Sequence, residues 1–305
     1  MPERIALVTG ACGFLGRHVA RALAQQGFSV HGIGHGTWTR EEWSRHGLSF
    51  WHACDVTLEN LLTYGGAPEL LVHCAGSASV AFSMAEPLLD YRRTVETTVA
   101  ALEYLRLRAP SALLVFPSSG SVYGSREGTV SESAPVSPQS AYASHKLIAE
   151  GLCGSYGRSF GVRSAIFRFF SVYGPGLRKQ LLWDVSTRLA RGEAWCAGTG
   201  DEARDWLHVE DAARLILRAV DHASTACPTV NGGSGVAATV REVVTELSDA
   251  LGVRRPFTFN GQGRPGDPFR FVADIGLARS WGWEPRVAWR TGVRDYAAWF
   301  TQGAP

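Results

Sequence analysis

The sequence predicts an α/β fold in which a doubly wound parallel sheet is followed by a smaller C-terminal lobe. In the first two-thirds of the chain, short apolar runs alternate with helical patterns, as is typical of βαβ units. A glycine-rich turn follows the first apolar run and opens the first helical pattern. After Gly174-Pro175-Gly176 the alternation loosens, so a second and smaller lobe is expected to begin there.

The predicted elements follow one another in a regular order. Four strands are expected in the first 74 residues, at 5–9, 29–33, 48–54 and 70–74, with a helix over 14–26 between the first two. One long helix is predicted over 84–108, because its pattern continues until Pro110. The fifth strand, 113–117, is continuously apolar, which indicates burial on both faces.

The remaining predictions lie between residues 118 and 170. Residues 118–140 are rich in Ser, Gly and Pro and are therefore predicted to form a loop. A helix is expected over 141–160 and a strand over 164–170.

Composition excludes several classes of protein. The chain has 305 residues, of which 45% are hydrophobic, and a net charge of +2 without a long basic run. These values argue against a partner such as nucleic acid or an anionic membrane, since both require a concentrated cationic face. No apolar run is long enough to span a bilayer, and the first residues do not resemble a signal peptide. Six cysteines without a Cys-x-x-Cys pair favour reduced thiols, so we expect a cytoplasmic protein.

The turn after the first strand carries three glycines in GxxGxxG spacing, Gly10, Gly13 and Gly16. Glycine allows the backbone to turn tightly and to approach a pyrophosphate, whose charge is stabilised by the N-terminus of the following helix. The alternative is an ordinary strand–helix turn that binds no ligand. The position directly after the first strand favours dinucleotide binding, so we predict a Rossmann domain over residues 1–170.

The end of the second predicted strand bears on the choice of cofactor. A carboxylate at this position binds the ribose 2′-hydroxyl of NAD, but residues 30–36 contain none. His35 and Arg40 could instead place positive charge near a 2′-phosphate, unless they belong to a solvated loop. The prediction therefore favours NADP, with NAD as the alternative.

Tyr142 and Lys146 are four residues apart on a predicted helix, so their side chains share one face. An ammonium group near a phenol lowers the pKa of the phenol toward the range useful for proton transfer. The chain has only two lysines against 28 arginines, and one of the two stands in this motif. The pair is therefore interpreted as catalytic and not as an exposed surface pair.

With these motifs the chain resembles the extended short-chain dehydrogenase/reductase family of nucleotide-sugar epimerases, dehydratases and reductases. The resemblance covers nearly the whole chain in order and rests on 9–16 (TGACGFLG), 73–76 (HCAG), 118–124 (SSGSVYG), Tyr142-x-x-x-Lys146, 172–176 (VYGPG), 204–211 (RDWLHVED), 264–267 (RPGD) and 277–285.

The resemblance implies a role for each matching residue. Tyr142 would be the general acid/base, Lys146 would bind the nicotinamide ribose, and Ser119 would hydrogen-bond the reacting sugar oxygen. The other cofactor-binding residues would be Phe14 and Leu15 in the glycine turn, Asp55 at the adenine, Val56 beside it in sequence, and Ala75 and Gly76, which would line the cofactor. Substrate binding would fall to Ser171, Arg204 and Arg264, within a substrate-binding lobe of residues 171–305 from which some segments return to the large sheet.

Two other possibilities are weaker. His208 lies beside Arg204 but stands alone in an apolar run, which is typical of a structural histidine. His46, His52 and Cys54 lack the spacing and the fourth ligand of a zinc site, so no metal is predicted.

Departures from the family pattern reduce the number of reactions that the chain could catalyse. Related 4,6-dehydratases carry Asp-Glu after the catalytic Ser or Thr, whereas this chain has Gly120 and Ser121, so dehydration lacks its acid and base. Ser171 and Thr94 stand where relatives have Asn, which leaves the identity of the substrate open.

Two enzymatic hypotheses remain. The first is an NADPH-dependent reductase of 4-keto sugars, which the missing second-strand acid favours. The second is an NAD-dependent nucleotide-sugar 4-epimerase with the same Ser119, Tyr142 and Lys146. A non-catalytic NADP-binding regulator is weakened by the intact Ser–Tyr–Lys set. By analogy with the family, helices 84–108 and 141–160 are expected to form a homodimer interface.

Overall fold

A computed structural model of the chain describes residues 3–253, 257–262 and 270–303. Within these residues the strands are β1 (Ile5–Thr9), β2 (Ser29–Gly34), β3 (Leu48–Ala53), β4 (Leu70–His73), β5 (Leu113–Ser119), β6 (Gly128–Val130), β7 (Arg163–Phe169), β8 (Ser171–Tyr173), β9 (Trp195–Cys196), β10 (Ala203–His208), β11 (Thr229–Gly232), β12 (Ala237–Thr239), β13 (Thr258–Phe259) and β14 (Arg270–Ala273).

The α-helices of the same residues are α1 (Phe14–Gln25), α2 (Arg40–Arg45), α3 (Leu58–Tyr64), α4 (Val80–Ala85), α5 (Pro87–Tyr91), α6 (Thr97–Arg108), α7 (Ala141–Phe160), α8 (Gln180–Ala190), α9 (Val209–Leu217), α10 (Ala219–His222), α11 (Val240–Ala250), α12 (Gly276–Ser280) and α13 (Trp289–Thr301). A π-helical turn, Arg92–Glu96, joins α5 to α6, and a 3₁₀ turn, Gly120–Tyr123, follows β5.

Seven parallel strands form the main sheet, in the order β11-β7-β5-β4-β1-β2-β3. Strand β1 shows how its two faces are filled. Ala6 and Val8 point into a core with α1 and α9, whereas Leu7 points into a second core with α6 and α7. Both faces are therefore covered by helices, which confirms the predicted α/β class with a doubly wound sheet.

The smaller sheets gather around the carboxyl ends of the large one. Strand β10 lies between β12 and β14, pairs with β8 as well, and β14 continues the sheet to β6. Helices α8, α11 and α13 enclose a third core with β10. Strand β11 returns to the large sheet from the C-terminal half, while a domain boundary at residue 170 stays a prediction.

The prediction of one helix over 84–108 is wrong. Glu86 has a non-helical backbone, with φ −129° and ψ 63°, and Pro87 starts a new helix at its first position. The π turn then inserts an extra residue before α6, and the Thr97 hydroxyl donates to the Arg93 carbonyl at 2.6 Å. The break and the π turn bend this segment against α7 instead of letting it run straight.

The prediction of a loop over 118–140 is wrong in part. Strand β5 extends to Ser119, the 3₁₀ turn follows it, and β6 pairs with β14 in parallel. No helix among the described residues is long and apolar enough to cross a membrane.

Candidate active site

The glycine turn lies between β1 and the N-terminus of α1. Gly10 adopts φ +65°, and a Cβ built there would lie 2.7 Å from the Ala75 amide nitrogen. At Gly16 a Cβ would collide with the Gly10 carbonyl. These positions therefore hold glycine because the turn is packed directly against the end of β4 and against itself, which leaves backbone as its exposed surface.

A single cavity of about 450 Å³ joins this turn to the predicted catalytic residues. The sequence-predicted residues in its lining are Gly10, Gly13, Phe14, Leu15, Gly16, Gly76, Ser119, Tyr142, Lys146 and Ser171. The N-terminus of α1 opens onto it without an acidic residue in its first turn. These features fit the pyrophosphate and nicotinamide end of a dinucleotide.

Tyr142 lies in the first turn of α7, where Ser140 caps the helix and the Ser83 hydroxyl accepts the Tyr142 amide hydrogen at 2.9 Å. Burial raises the pKa of the Tyr142 phenol, a side-chain hydrogen bond with Ser119 lowers it, and the Asp90 carboxylate raises it. The net pKa is therefore raised. The expectation that Lys146 lowers the pKa of Tyr142 stays a prediction, and in the protein alone burial is the largest effect on that pKa.

Lys146 is buried beside Tyr142 and donates from Nζ to the Pro117 carbonyl at 2.8 Å. Its ammonium lies 4.7 Å from the centre of the Phe116 ring. Burial lowers the pKa of Lys146 to about 8, against the opposing effects of Cys74, Glu150 and Asp90. The ammonium is therefore fixed in position yet able to titrate near neutral pH.

A buried polar network holds the strand that carries Ser119. Ser118 donates to Glu150 at 2.5 Å, and Arg168 pairs with the same carboxylate at 2.6 Å. The Arg168 guanidinium lies over the ring of Tyr123, which donates to Asn231 at 2.7 Å. The network fixes β5 relative to α7, β7 and β11, so Ser119 and Tyr142 are held at a constant separation.

The end of β2 differs from the sequence-based expectation. His35 does lie there, but its Nε2 is 2.9 Å from Oδ1 of Asp55, which follows β3. A carboxylate therefore stands at the end of the second strand, contributed by the neighbouring strand. The local sequence could not show this, because the pair forms only when β2 and β3 align.

The other predicted residues of the adenine end lie in different settings. Arg40 is the first residue of α2 and is exposed. Val56 is buried in the core with Leu7 and Ile33. Ala75 packs against Gly10, and its amide donates to Thr9 Oγ1 at 3.2 Å.

The predicted substrate residues are only partly brought together. Ser171 lines the cavity, whereas Arg204 lies on β10 outside the lining that the described residues form, and its Nη1 donates to the Ala203 carbonyl at 3.1 Å. Arg264 lies outside the described residues. Thr94, in the π turn, accepts the Ser77 amide hydrogen at 3.3 Å.

His208 is structural in this fold. It is buried, caps α9 through Nδ1, and lies edge-on to Tyr173. His46 stacks on Trp38, and His52 stacks on Tyr64.

Several lining residues were not predicted from the sequence. Two of them are Lys179, which brings an ammonium group to the cavity, and Phe170, which brings an aromatic ring. Lys179 is the second of the two lysines, and that rarity was the available signal. Phe170 stacks on Phe271, and a Cβ built on Gly120 would lie 3.2 Å from both rings. A side chain at residue 120 would therefore require the two rings to shift by a few tenths of an ångström, which disfavours the acid of a dehydratase there.

Comparisons with known proteins agree with this geometry. Residues 6–232 match the model of the NAD dependent epimerase/dehydratase family. A UDP-glucose 4-epimerase from Azospirillum brasilense is 31% identical over 319 residues, covering 96% of this chain and 91% of the relative.

Two solved structures are similar over nearly their full length. The UDP-glucose 4-epimerase of Thermus thermophilus in complex with NAD has 28% identity and a TM-score of 0.87, covering 99% of this chain and 100% of that one. MoeE5 in complex with UDP-glucuronic acid and NAD has 29% identity and a TM-score of 0.88, covering 97% and 99%.

Proposed function

The chain belongs to the NAD dependent epimerase/dehydratase family, and from that premise we propose that it is an NAD-dependent 4-epimerase of UDP-sugars. The observation that carries the proposal is the single cavity in which the glycine turn faces Ser119, Tyr142 and Lys146. Two of the three relatives named above are UDP-glucose 4-epimerases, and they favour this reaction over the reduction of a 4-keto sugar.

Tyr142, Ser119 and Lys146 have different roles in the proposed reaction. The Tyr142 phenolate takes the proton of the sugar 4-hydroxyl, while Ser119 hydrogen-bonds the same oxygen and orients it. Lys146 holds the nicotinamide ribose and favours the phenolate. A dinucleotide held by the glycine turn and Lys146 would supply the hydride acceptor for the sugar C4 and the hydride donor for its return to the opposite face of the ring.

The proton balance closes within this chain. Tyr142 gives its proton back to the 4-oxygen when the hydride returns, so the protein ends the cycle as it began. A positive charge near Tyr142, such as that of oxidised nicotinamide, would favour its phenolate and oppose the effect of burial. Epimerisation therefore consumes neither cofactor nor solvent protons.

The pair of His35 and Asp55 supports NAD as the cofactor, in place of the NADP that the sequence favoured. The Asp55 carboxylate lies within 2.9 Å of the imidazole and would repel a 2′-phosphate. We propose that Asp55, from the end of β3, accepts a hydrogen bond from the ribose 2′-hydroxyl instead of the adenine contact that the resemblance implies. The other proposed cofactor contacts come from Gly10, Gly13, Phe14, Leu15, Gly16, Arg40, Val56, Ala75 and Gly76.

The substrate contacts are proposed to come from Ser171 in the cavity and from Arg204 and Arg264 for the diphosphate. Guanidinium groups suit that role because they bind phosphate oxygens in pairs. We propose UDP as the nucleotide and glucose or glucuronate as the sugar, because the relatives include a UDP-glucose 4-epimerase and a UDP-glucuronate 4-epimerase.

The test is to incubate the purified protein separately with UDP-glucose and UDP-glucuronic acid and to resolve the 4-epimers by chromatography. Conversion without net change in nicotinamide absorbance supports the epimerase. Consumption of NADPH with a nucleotide 4-keto sugar, and no epimer from either UDP-sugar, would support the reductase instead.

Tyr142→Phe is expected to lower kcat by at least about a thousandfold, since the proton acceptor is lost, while NAD remains bound. The matched control is Tyr64→Phe, at an exposed tyrosine that stacks on His52 and does not line the cavity. Unchanged turnover in the Tyr142 variant would refute the assigned role, and NAD retention is measured by fluorescence titration.

A further inference from the structure

Helix α1 contributes a side chain that reaches the segment after β8, and the reaction described above does not use it. Nε2 of His18 lies 3.0 Å from the carbonyl oxygen of Pro175, which is 157 positions later in the chain. A carbonyl oxygen can only accept, so Nε2 carries a hydrogen and donates it. His18 therefore joins the helix of the glycine turn to segment 174–180, which runs from the end of β8 to the first residue of α8.

Segment 174–180 forms part of the wall of the cavity that holds the catalytic residues. Leu177, Lys179 and Gln180 line this cavity together with residues of α1. The ammonium group of Lys179 adds positive charge to the wall, which suits an anionic ligand such as a nucleotide sugar. The position of the segment therefore determines the width of the cavity and the place of this charge.

The backbone of segment 174–180 does not keep its shape through local preferences alone. Gln180 has φ +67°, in a region that residues with a side chain rarely adopt, and Gly176 has φ +96°. A Cβ built on Gly176 would lie 3.9 Å from both Nε2 of His18 and the ring of Phe14. Because an unusual backbone conformation persists only where its surroundings hold it, the contacts with α1 contribute to the shape of the segment.

Two carbonyl oxygens of the segment accept hydrogen bonds from different parts of the molecule. His18 on α1 donates to Pro175, and the Tyr296 hydroxyl on α13 donates to the Leu177 carbonyl at 2.9 Å. The ring of His18 is oriented by Phe14, which lies edge-on at 5.6 Å between ring centres. The segment is thus fixed between the helix of the glycine turn and the C-terminal helix α13.

We propose that His18 is a positioning residue that holds segment 174–180 in the conformation that binds the substrate, and thereby couples α1 to the affinity for the nucleotide sugar. The proposal rests on the proposed function only for the identity of the substrate. His18 is not in the lining of the cavity, so it acts through Pro175 and not by touching the substrate. Loss of the hydrogen bond should weaken substrate binding and leave proton transfer at Tyr142 unaffected.

Kinetics of three variants on α1 tests this separation. His18→Phe removes the donor and keeps a ring against Phe14, and we expect KM for the UDP-sugar to rise by about tenfold while kcat changes by less than about twofold. His18→Gln, whose amide nitrogen can replace Nε2 as the donor, is expected to restore most of the affinity. Arg21→Gln, at an exposed residue three positions further along α1, is the control and should leave KM unchanged.

Binding is measured separately from turnover. Calorimetry with UDP on the NAD-loaded protein is expected to give about a tenfold weaker Kd in His18→Phe. Fluorescence titration with NAD should give the affinity of the unmodified protein, because His18 is not in the lining of the cavity. An equal loss of NAD and UDP affinity would overturn the proposal, since it would indicate general damage to α1.

Hydrogen exchange of the free protein tests the hydrogen bond without any ligand. In His18→Phe the amides of segment 174–180 are expected to exchange about tenfold faster, while those of α7 keep the rate of the unmodified protein. Unchanged exchange in the segment, or faster exchange with an unchanged KM, would overturn the proposal. Absence of epimerisation by the unmodified protein would overturn the proposed function, and unchanged or faster exchange would still decide whether His18 holds the segment.

Discussion

At the scale of single residues, the chemistry of the site divides into a part that is local in sequence and a part that is not. Tyr142, Lys146 and Ser119 could be identified because helical spacing and a short motif place them. Asp55 could not be placed beside His35, because their contact joins the ends of two different strands. The 2.6 Å contact between the Asp90 carboxylate and the His145 ring could not be predicted for the same reason, since the two residues lie 55 positions apart.

The pair of His35 and Asp55 gives a prediction on cofactor choice. Asp55→Ser is expected to raise the affinity for NADPH relative to NADH by about tenfold, because the repulsion of the 2′-phosphate is lost and His35 is released. Fluorescence titration with both nucleotides measures the ratio. Asp249→Asn, which removes an exposed carboxylate on α11, is the control, and an equal ratio in both variants would contradict the prediction.

At the scale of elements, prediction succeeded where both ends of a helix are marked in the sequence. Helix α7 runs over the predicted 141–160, since Ser140 caps its start and Gly161 adopts φ +73° at its end. The prediction of one helix over 84–108 was wrong because the apolar periodicity continues across Pro87. A periodic pattern also gives no sign of a π turn. Strand β6 has three residues and exists through its pairing with β14, more than 130 residues later.

Helices α4, α5 and α7 leave apolar side chains in solvent. They pack against one another, yet Met84, Leu88 and Ile148 are 63%, 62% and 46% exposed. Large exposed apolar groups on adjacent helices are typical of an interface between chains. The expected homodimer would therefore use this face.

Ile148→Glu is expected to yield a monomer, because a charge buried in a dimer interface is costly. Light scattering after gel filtration measures the mass. Leu62→Glu, at an apolar residue of α3 that is 40% exposed on another part of the surface, should leave the mass unchanged. The same mass for Ile148→Glu and the unmodified protein would show that this face is not the interface.

At the scale of the whole molecule, the class of fold could be predicted and the assembly of its parts could not. Alternating patterns are local and predict βαβ units, whereas the return of β11 to the edge of the large sheet depends on contacts with β7 formed during folding. The burial of histidines is likewise a property of the assembled molecule. It leads to a prediction about acid stability.

His73 and His18 are expected to make the protein less stable in mild acid. Burial lowers the pKa of His73 to about 3 and that of His18 to about 4, below the usual 6.5. Between pH 6.5 and 4 the unfolded chain therefore binds more protons, and the free energy of unfolding falls as the pH falls. The slope is about 1.4 kcal/mol per pH unit for each histidine that is fully neutral in the fold.

Urea unfolding at pH 7.0, 6.0 and 5.0 measures this loss. His73→Gln, which can still hydrogen-bond Thr9 and Thr97, is expected to remove about a third of the dependence, since burial also lowers the pKa of His46 to about 4. A pH dependence equal to that of the unmodified protein would refute the assignment to His73.

Asn231 has a consequence for rebuilding the molecule from parts. It stands on β11, where the chain rejoins the main sheet, and it contacts both Tyr123 and the Val130 carbonyl at 2.7 and 2.9 Å. A chimera that takes residues 171–305 from a relative would thus also replace Asn231, which holds Tyr123 in the 3₁₀ turn after Ser119. Transplants with a junction after residue 232 should retain turnover more often than those with a junction at 170.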